Sequence, residues 1–110
     1  MRSVLRVLRL CSLIALPAGY AVAQTESGDL AEGHRLAQTW CSNCHLIDPH
    51  GQSRATDAAP SFASIANMPS TTSAGLHAFL TTPHPPMPDF RLSRTEMDDV
   101  AAYILSLRGK

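Results

Sequence analysis

The chain has 110 residues, nine Lys and Arg against nine Asp and Glu, three cysteines and few aromatics. That balance excludes the basic footprint of a nucleic-acid binder and is too mild for a chain kept disordered by charge. The length fits one small domain, whose own core is limited, so a disulfide, metal or cofactor is expected to supplement it.

Residues 1–23 read as a cleaved secretion signal. Arg2, Arg6 and Arg9 form a positive start, Leu10 to Leu16 a short apolar run that Pro17 and Gly19 interrupt, and Ala21-Val22-Ala23 a small-residue cleavage site. A permanent anchor needs about 20 apolar residues, more than this run supplies. Arg9 stands where a lipoprotein signal has a small residue, so Cys11 is expected to leave with the signal. Cleavage before Gln24 gives a mature domain of residues 24–110 with a net charge of −3 and two cysteines, Cys41 and Cys44.

Within that domain the first periodic stretch runs from about Asp29 to Trp40. Leu30, Gly33, Ala37 and Cys41 recur at helical intervals, and Leu36 and Trp40 widen the face. Residues 48–60 are polar and turn-forming, a surface loop. Phe62, Ile65 and Ala66 mark a short helix ending before Pro69, and Ser73 is placed to cap another that carries Leu76, Phe79 and Leu80. Pro83, Pro85, Pro86 and Pro88 then exclude a helix interior or a central strand. In the last helix, Ser93 and Glu96 fit a capping box and Leu92 and Met97 a hydrophobic staple. Met97, Val100, Ala101, Ile104 and Leu107 form one apolar stripe. With no repeat and no convincing strand, the expected fold is all-α, three to five short helices joined by irregular loops.

The chemistry is concentrated in Cys41-Ser42-Asn43-Cys44-His45. C-x-x-C-H is the attachment signal for c-type haem: two thiols at this spacing each add across one vinyl group of a single porphyrin, and the adjacent histidine ligates the iron. Cys41 and Cys44 are thus read as tethers and His45 as an axial ligand, on one covalent haem c. Two other readings compete. A thioredoxin-like dithiol needs the pair at a helix start in a βαβ setting, and a zinc site needs a second ligand pair. Here the pair follows a helix, and His34, His50, His77 and His84 lack the H-x(3–5)-H spacing.

The second axial ligand comes from Met68, Met87, Met97 or another histidine. Met97 belongs to the apolar stripe of the last helix, and Met68 precedes Pro69 between two helices. Met87 is surrounded by Pro85, Pro86 and Pro88, which fix their own φ and restrict the residues before them. A loop so stiffened suits a thioether held on iron in both oxidation states, and Met/His ligation is the common cytochrome c arrangement. Met87 is therefore favoured, with His84 the alternative.

On these motifs the chain resembles small bacterial class I cytochromes c over nearly all of residues 24–110. The resemblance rests on Gly33 ahead of CSNCH, the APSFASIA segment, the PHPPMPDF loop and LSRTEMDDVAAYILSL. It implies helices wrapped around one haem, with Gly33 packed on Tyr103 where the first and last helices cross. It also implies that the Pro60 carbonyl accepts a hydrogen bond from His45, fixing the ring and raising its basicity. Two positions depart from the family pattern. Ala37 stands where an aromatic residue is frequent, with Trp40 expected to take over its volume, and Ala59 replaces the usual glycine before Pro60.

Lesser candidates have plainer readings. Trp40 is placed for a propionate or for packing. His50 and Arg54 lie in a loop where solvated charge is the default. Asp98 and Asp99 read as the wet face of the last helix, and His34 and His77 as exposed. With both axial sites filled, the expected role is periplasmic single-electron transfer, not catalysis. It would be exercised as a free carrier or as the cytochrome subunit of a dehydrogenase, with a dehydrogenase donor and an oxidase or reductase acceptor. The alternative is a haem enzyme or gas sensor in which Met87 is labile.

Overall fold

The computed structural model describes residues 27–50 and 59–110, which form helices and turns with no strand among them. The signal at 1–23, Cys11 and Arg54 lie outside the described residues. Four helices follow in order: α1 (Leu30–Trp40), α2 (Phe62–Asn67), α3 (Ser73–Thr81) and α4 (Arg94–Ser106). The expected all-α architecture is present.

Each helix begins at a polar side chain that takes up otherwise unpaired N–H groups. The Asp29 carboxylate accepts from Ala31 and Glu32 at 2.8 and 3.0 Å. Ser61 accepts from Ser64, and Ser93 and Glu96 close the anticipated capping box. For α3 the cap is Thr72, not Ser73: extended at φ −131°, it accepts from the Gly75 N–H at 3.0 Å. Ser73 is the first helical residue. Thr72 and Ser73 are adjacent hydroxyl residues, and in sequence either one can supply the cap.

The three other helices all pack on α4. Its stripe of Val100, Ala101, Ile104 and Leu107 is buried together with Leu36, Ala37, Ile47, Phe62, Ala66 and Leu76. The α1–α4 crossing is the tightest. A Cβ on Gly33 would sit 2.0 Å from the Asp99 carbonyl oxygen and 2.9 Å from Tyr103 Cβ, and one on Gly28 would sit 2.1 Å from the Asp98 carbonyl oxygen. Glycine is required at both places because backbone meets backbone. The Gly33–Tyr103 contact expected from the resemblance is therefore present.

This approach overturns several expectations. Asp99 is not on a wet face: it is 6 % exposed, and its Oδ1 accepts the Asp29 N–H at 2.7 Å. Asp98 lies only 2.9 Å from His77 Nε2, and both are partly buried. His34 is likewise partly covered, with Nε2 2.9 Å from Asp48 Oδ1 and its ring tilted on Tyr103. Leu30 and Trp40, at the ends of α1, are half exposed, so the packed face is Gly33, Leu36 and Ala37. Ala37 is wholly buried, and the Trp40 ring lies 5.7 Å from that of Phe90.

The C-terminus ties the far side together. Arg108 donates to the carbonyls of Ala66 and Thr71 at 2.9 and 2.7 Å, and the Gly109 N–H donates to Asn67 at 2.9 Å. These bonds satisfy the end of α2 and the turn after it.

Replacing Gly33 with Ala tests the crossing. Alanine gains about 1 kcal/mol in helix propensity, but its methyl cannot fit without separating α1 and α4. Because the obstacle is backbone, a net loss of about 2 kcal/mol is expected, read as a lower guanidinium midpoint of the haem-loaded protein. An unchanged or raised midpoint would show that the helices can part at no cost.

Candidate functional site

The end of α1 runs straight into the cysteine motif. The N–H groups of Cys41 and Ser42 donate to the Ala37 carbonyl, and those of Cys44 and His45 donate to the Cys41 carbonyl at 3.1 and 2.9 Å. The five residues thus form a compact turn anchored to the helix that crosses α4. Burial, reinforced by the neighbouring Cys44, pushes the Cys41 thiol up to about 11. That penalty falls on the thiolate alone and vanishes once the sulfur is a neutral thioether.

His45 is oriented as the resemblance implied. Its Nδ1 lies 2.7 Å from the Pro60 carbonyl oxygen. A carbonyl only accepts, so the ring proton sits on Nδ1 and the lone pair of the neutral imidazole sits on Nε2, the atom suited to iron. The Phe62 N–H donates to the Leu46 carbonyl at 2.9 Å, and the His45 ring tilts on that of Phe62 at 5.5 Å. Cys41, Cys44, His45 and Pro60 are therefore brought into one neighbourhood by α1 and the start of α2.

A polar cluster that sequence reasoning missed braces the same turn. Buried Tyr103 of α4 directs its hydroxyl at Asp48 Oδ1, 2.7 Å away, and at the Ile47 carbonyl, 3.1 Å away. Burial first, and then the Asp48 carboxylate, raise this phenol well above its ordinary range, so it remains a neutral donor. Asp48 also faces His34. Nothing local marks Asp48 in a turn-forming stretch; only the α1–α4 crossing brings it to Tyr103.

Met87 occupies a second neighbourhood, after α3. Thr82 ends that helix, and the chain turns so that the Met87 N–H donates to the His84 carbonyl at 3.3 Å. His84 Nδ1 lies 2.6 Å from the Thr82 carbonyl oxygen and Nε2 lies 3.0 Å from Met87 Sδ. The Phe79 ring covers the imidazole at 3.8 Å. Leu80, His84, Met87, Phe90 and Leu92 line one shallow cleft. Met68 does not line it; it is the half-exposed residue ending α2. Met97 is partly buried on α4, and His50 is exposed.

The donor set fits a c-type haem: two thiols, an imidazole oriented through Nδ1, and a thioether in a shallow cleft of mixed polarity. The packing fits as well. Trp40, Met68 and Phe79 are 46–53 % exposed, and no large side chain among the described residues is fully buried. The helices thus leave apolar surface that a flat apolar group can cover.

Comparison with known proteins agrees with this geometry. Residues 28–104 match the family model described as cytochrome c oxidase, cbb3-type, subunit III. The chain is also 50 % identical over 92 residues to cytochrome c-552 of Bradyrhizobium diazoefficiens, spanning 80 % of this chain and 88 % of that one. No solved structure matches at the same stringency. The chain belongs to this cytochrome c family, as a small monohaem class I member. It is an electron-transfer protein with covalently attached haem c, and its partners are redox proteins. Haem c supplies an iron that alternates between ferrous and ferric states.

The brace on the motif is testable. Tyr103→Phe keeps the ring but leaves Asp48 and the Ile47 carbonyl without its hydroxyl, which should cost about 1–3 kcal/mol. The expected readout is a lower denaturation midpoint of the haem-loaded protein with its visible spectrum retained. An unchanged midpoint would mean that the hydroxyl contributes nothing to the turn.

Proposed function

We propose that the mature chain is a periplasmic single-electron carrier in which Cys41 and Cys44 would tether the haem and His45 and Met87 would ligate its iron. The observation that carries this reading is the 2.7 Å contact from His45 Nδ1 to the Pro60 carbonyl. That bond fixes the tautomer and holds the ring at one angle, so the histidine need not reorganise between oxidation states. The proline-rich loop performs the same service for Met87 by restricting backbone movement. A thioether there favours the ferrous state relative to a second imidazole and so sets a comparatively high reduction potential.

With two axial side chains in place no coordination position is left for a substrate, which supports a carrier and not an enzyme. Donor and acceptor are proposed to be a dehydrogenase and an oxidase or reductase meeting the protein through small, transient interfaces of under about 1,200 Å². The chain fits a free carrier or the cytochrome subunit of such a dehydrogenase. Export rests on the leader at residues 1–23. No helix among the described residues is long and apolar enough to cross a membrane.

The haem should survive acid-acetone extraction of the exported protein, and replacing Cys41 and Cys44 together with alanine should make it extractable. Ferric wild type should show the weak near-infrared sulfur-to-iron charge-transfer band. Met87→Ala should abolish that band and lower the reduction potential, whereas Met68→Leu and Met97→Leu should leave the band in place. Its survival in Met87→Ala would show that Met87 is not the ligand.

Mass spectrometry of the exported protein should find an N-terminus at Gln24, or within a residue or two of it. An intact Met1 on functional, membrane-bound protein would replace the cleaved signal with an anchor.

A further inference from the structure

His84 is built like a ligand although the proposed ligand set does not use it. Its Nδ1 is directed at the Thr82 carbonyl at 2.6 Å, the same arrangement that orients His45 on Pro60. With the proton committed to Nδ1, the neutral ring presents the lone pair of Nε2. That atom lies 3.0 Å from Met87 Sδ. A thioether has no proton to donate, so in this tautomer no hydrogen bond joins the two atoms. They are two lone-pair donors brought side by side in the same cleft. The Phe79 ring, tilted by 39°, lies against the imidazole at 3.8 Å, and the bond from the Met87 N–H to the His84 carbonyl suspends both side chains from one turn.

From this juxtaposition we propose that His84 is a standby axial ligand, whose Nε2 takes the iron when the Met87 thioether is lost or damaged. The inference rests on Met87 being the resident ligand. In the exchange an iron–sulfur bond breaks and an iron–nitrogen bond forms. No electron moves, and the Nδ1 proton stays on the ring against the Thr82 carbonyl. The two donor atoms lie 3.0 Å apart on one short turn, so the exchange is between neighbouring side chains of that turn. The result is a six-coordinate, two-histidine site of lower potential. The consequence for the protein is protective: loss of the thioether leaves a poorer electron carrier, but not a vacant iron able to bind small ligands.

The test compares haem-loaded Met87→Ala with the double variant Met87→Ala/His84→Leu at neutral pH, by visible absorption and electron paramagnetic resonance of the ferric proteins. Met87→Ala should lose the charge-transfer band yet remain low-spin, and the double variant should lose the low-spin signal. If His84 fills the site in nine molecules of ten, added imidazole should bind Met87→Ala about tenfold more weakly than the double variant. A high-spin Met87→Ala that binds imidazole as the double variant does would overturn the proposal and leave Met87 as the ligand. A Met87→Ala that keeps the band would overturn both readings. Should the double variant fail to accumulate, proton resonance spectra of ferric Met87→Ala decide alone. Two hyperfine-shifted imidazole rings support the proposal, and a single ring overturns it.

Discussion

The contact of backbone on backbone where α1 crosses α4 governs the rest of the molecule. Because Gly33 has no side chain, Tyr103 of α4 comes within reach of the segment after the cysteine motif. Its hydroxyl then engages Ile47 and Asp48, and its ring meets those of His34 and Phe62. Phe62 in turn lies against His45. A chain of ring and hydrogen-bond contacts thus leads from one glycine to His45 of the C-x-x-C-H motif. A side chain at position 33 would loosen every link in it.

The two halves of the site are held by different means. The histidine half is supported by long-range packing around the helix crossing. The methionine half depends on local restraint, from Pro85, Pro86 and Pro88 and from the turn between His84 and Met87. α3 carries that loop and is set on α4 through Leu76 and through the approach of His77 to Asp98.

Much of this was legible in the sequence because its signals are local. The capping box of Ser93 and Glu96, the stripe on α4, the C-x-x-C-H turn and the cluster of prolines each act within a few residues. Gly33 and Pro60 became informative through resemblance, since neither carries a chemical signal alone. What could not be read were partners distant in the chain. Asp99 looks like surface charge until the Asp29 N–H is brought to it, and Asp48 like loop polarity until Tyr103 arrives. Arg108 is an unremarkable terminal cation until it meets the carbonyls of Ala66 and Thr71.

The bonds that orient His45 also close a loop. His45 meets Pro60, and Leu46, the next residue, meets Phe62, two residues beyond Pro60. The chain is therefore clamped there by two neighbouring bonds. The entropy of closing such a loop grows only with the logarithm of its length, about 0.6 kcal/mol for each doubling. Evolution, or an engineer grafting a peptide or a tether to an electrode, is accordingly free to lengthen the chain here.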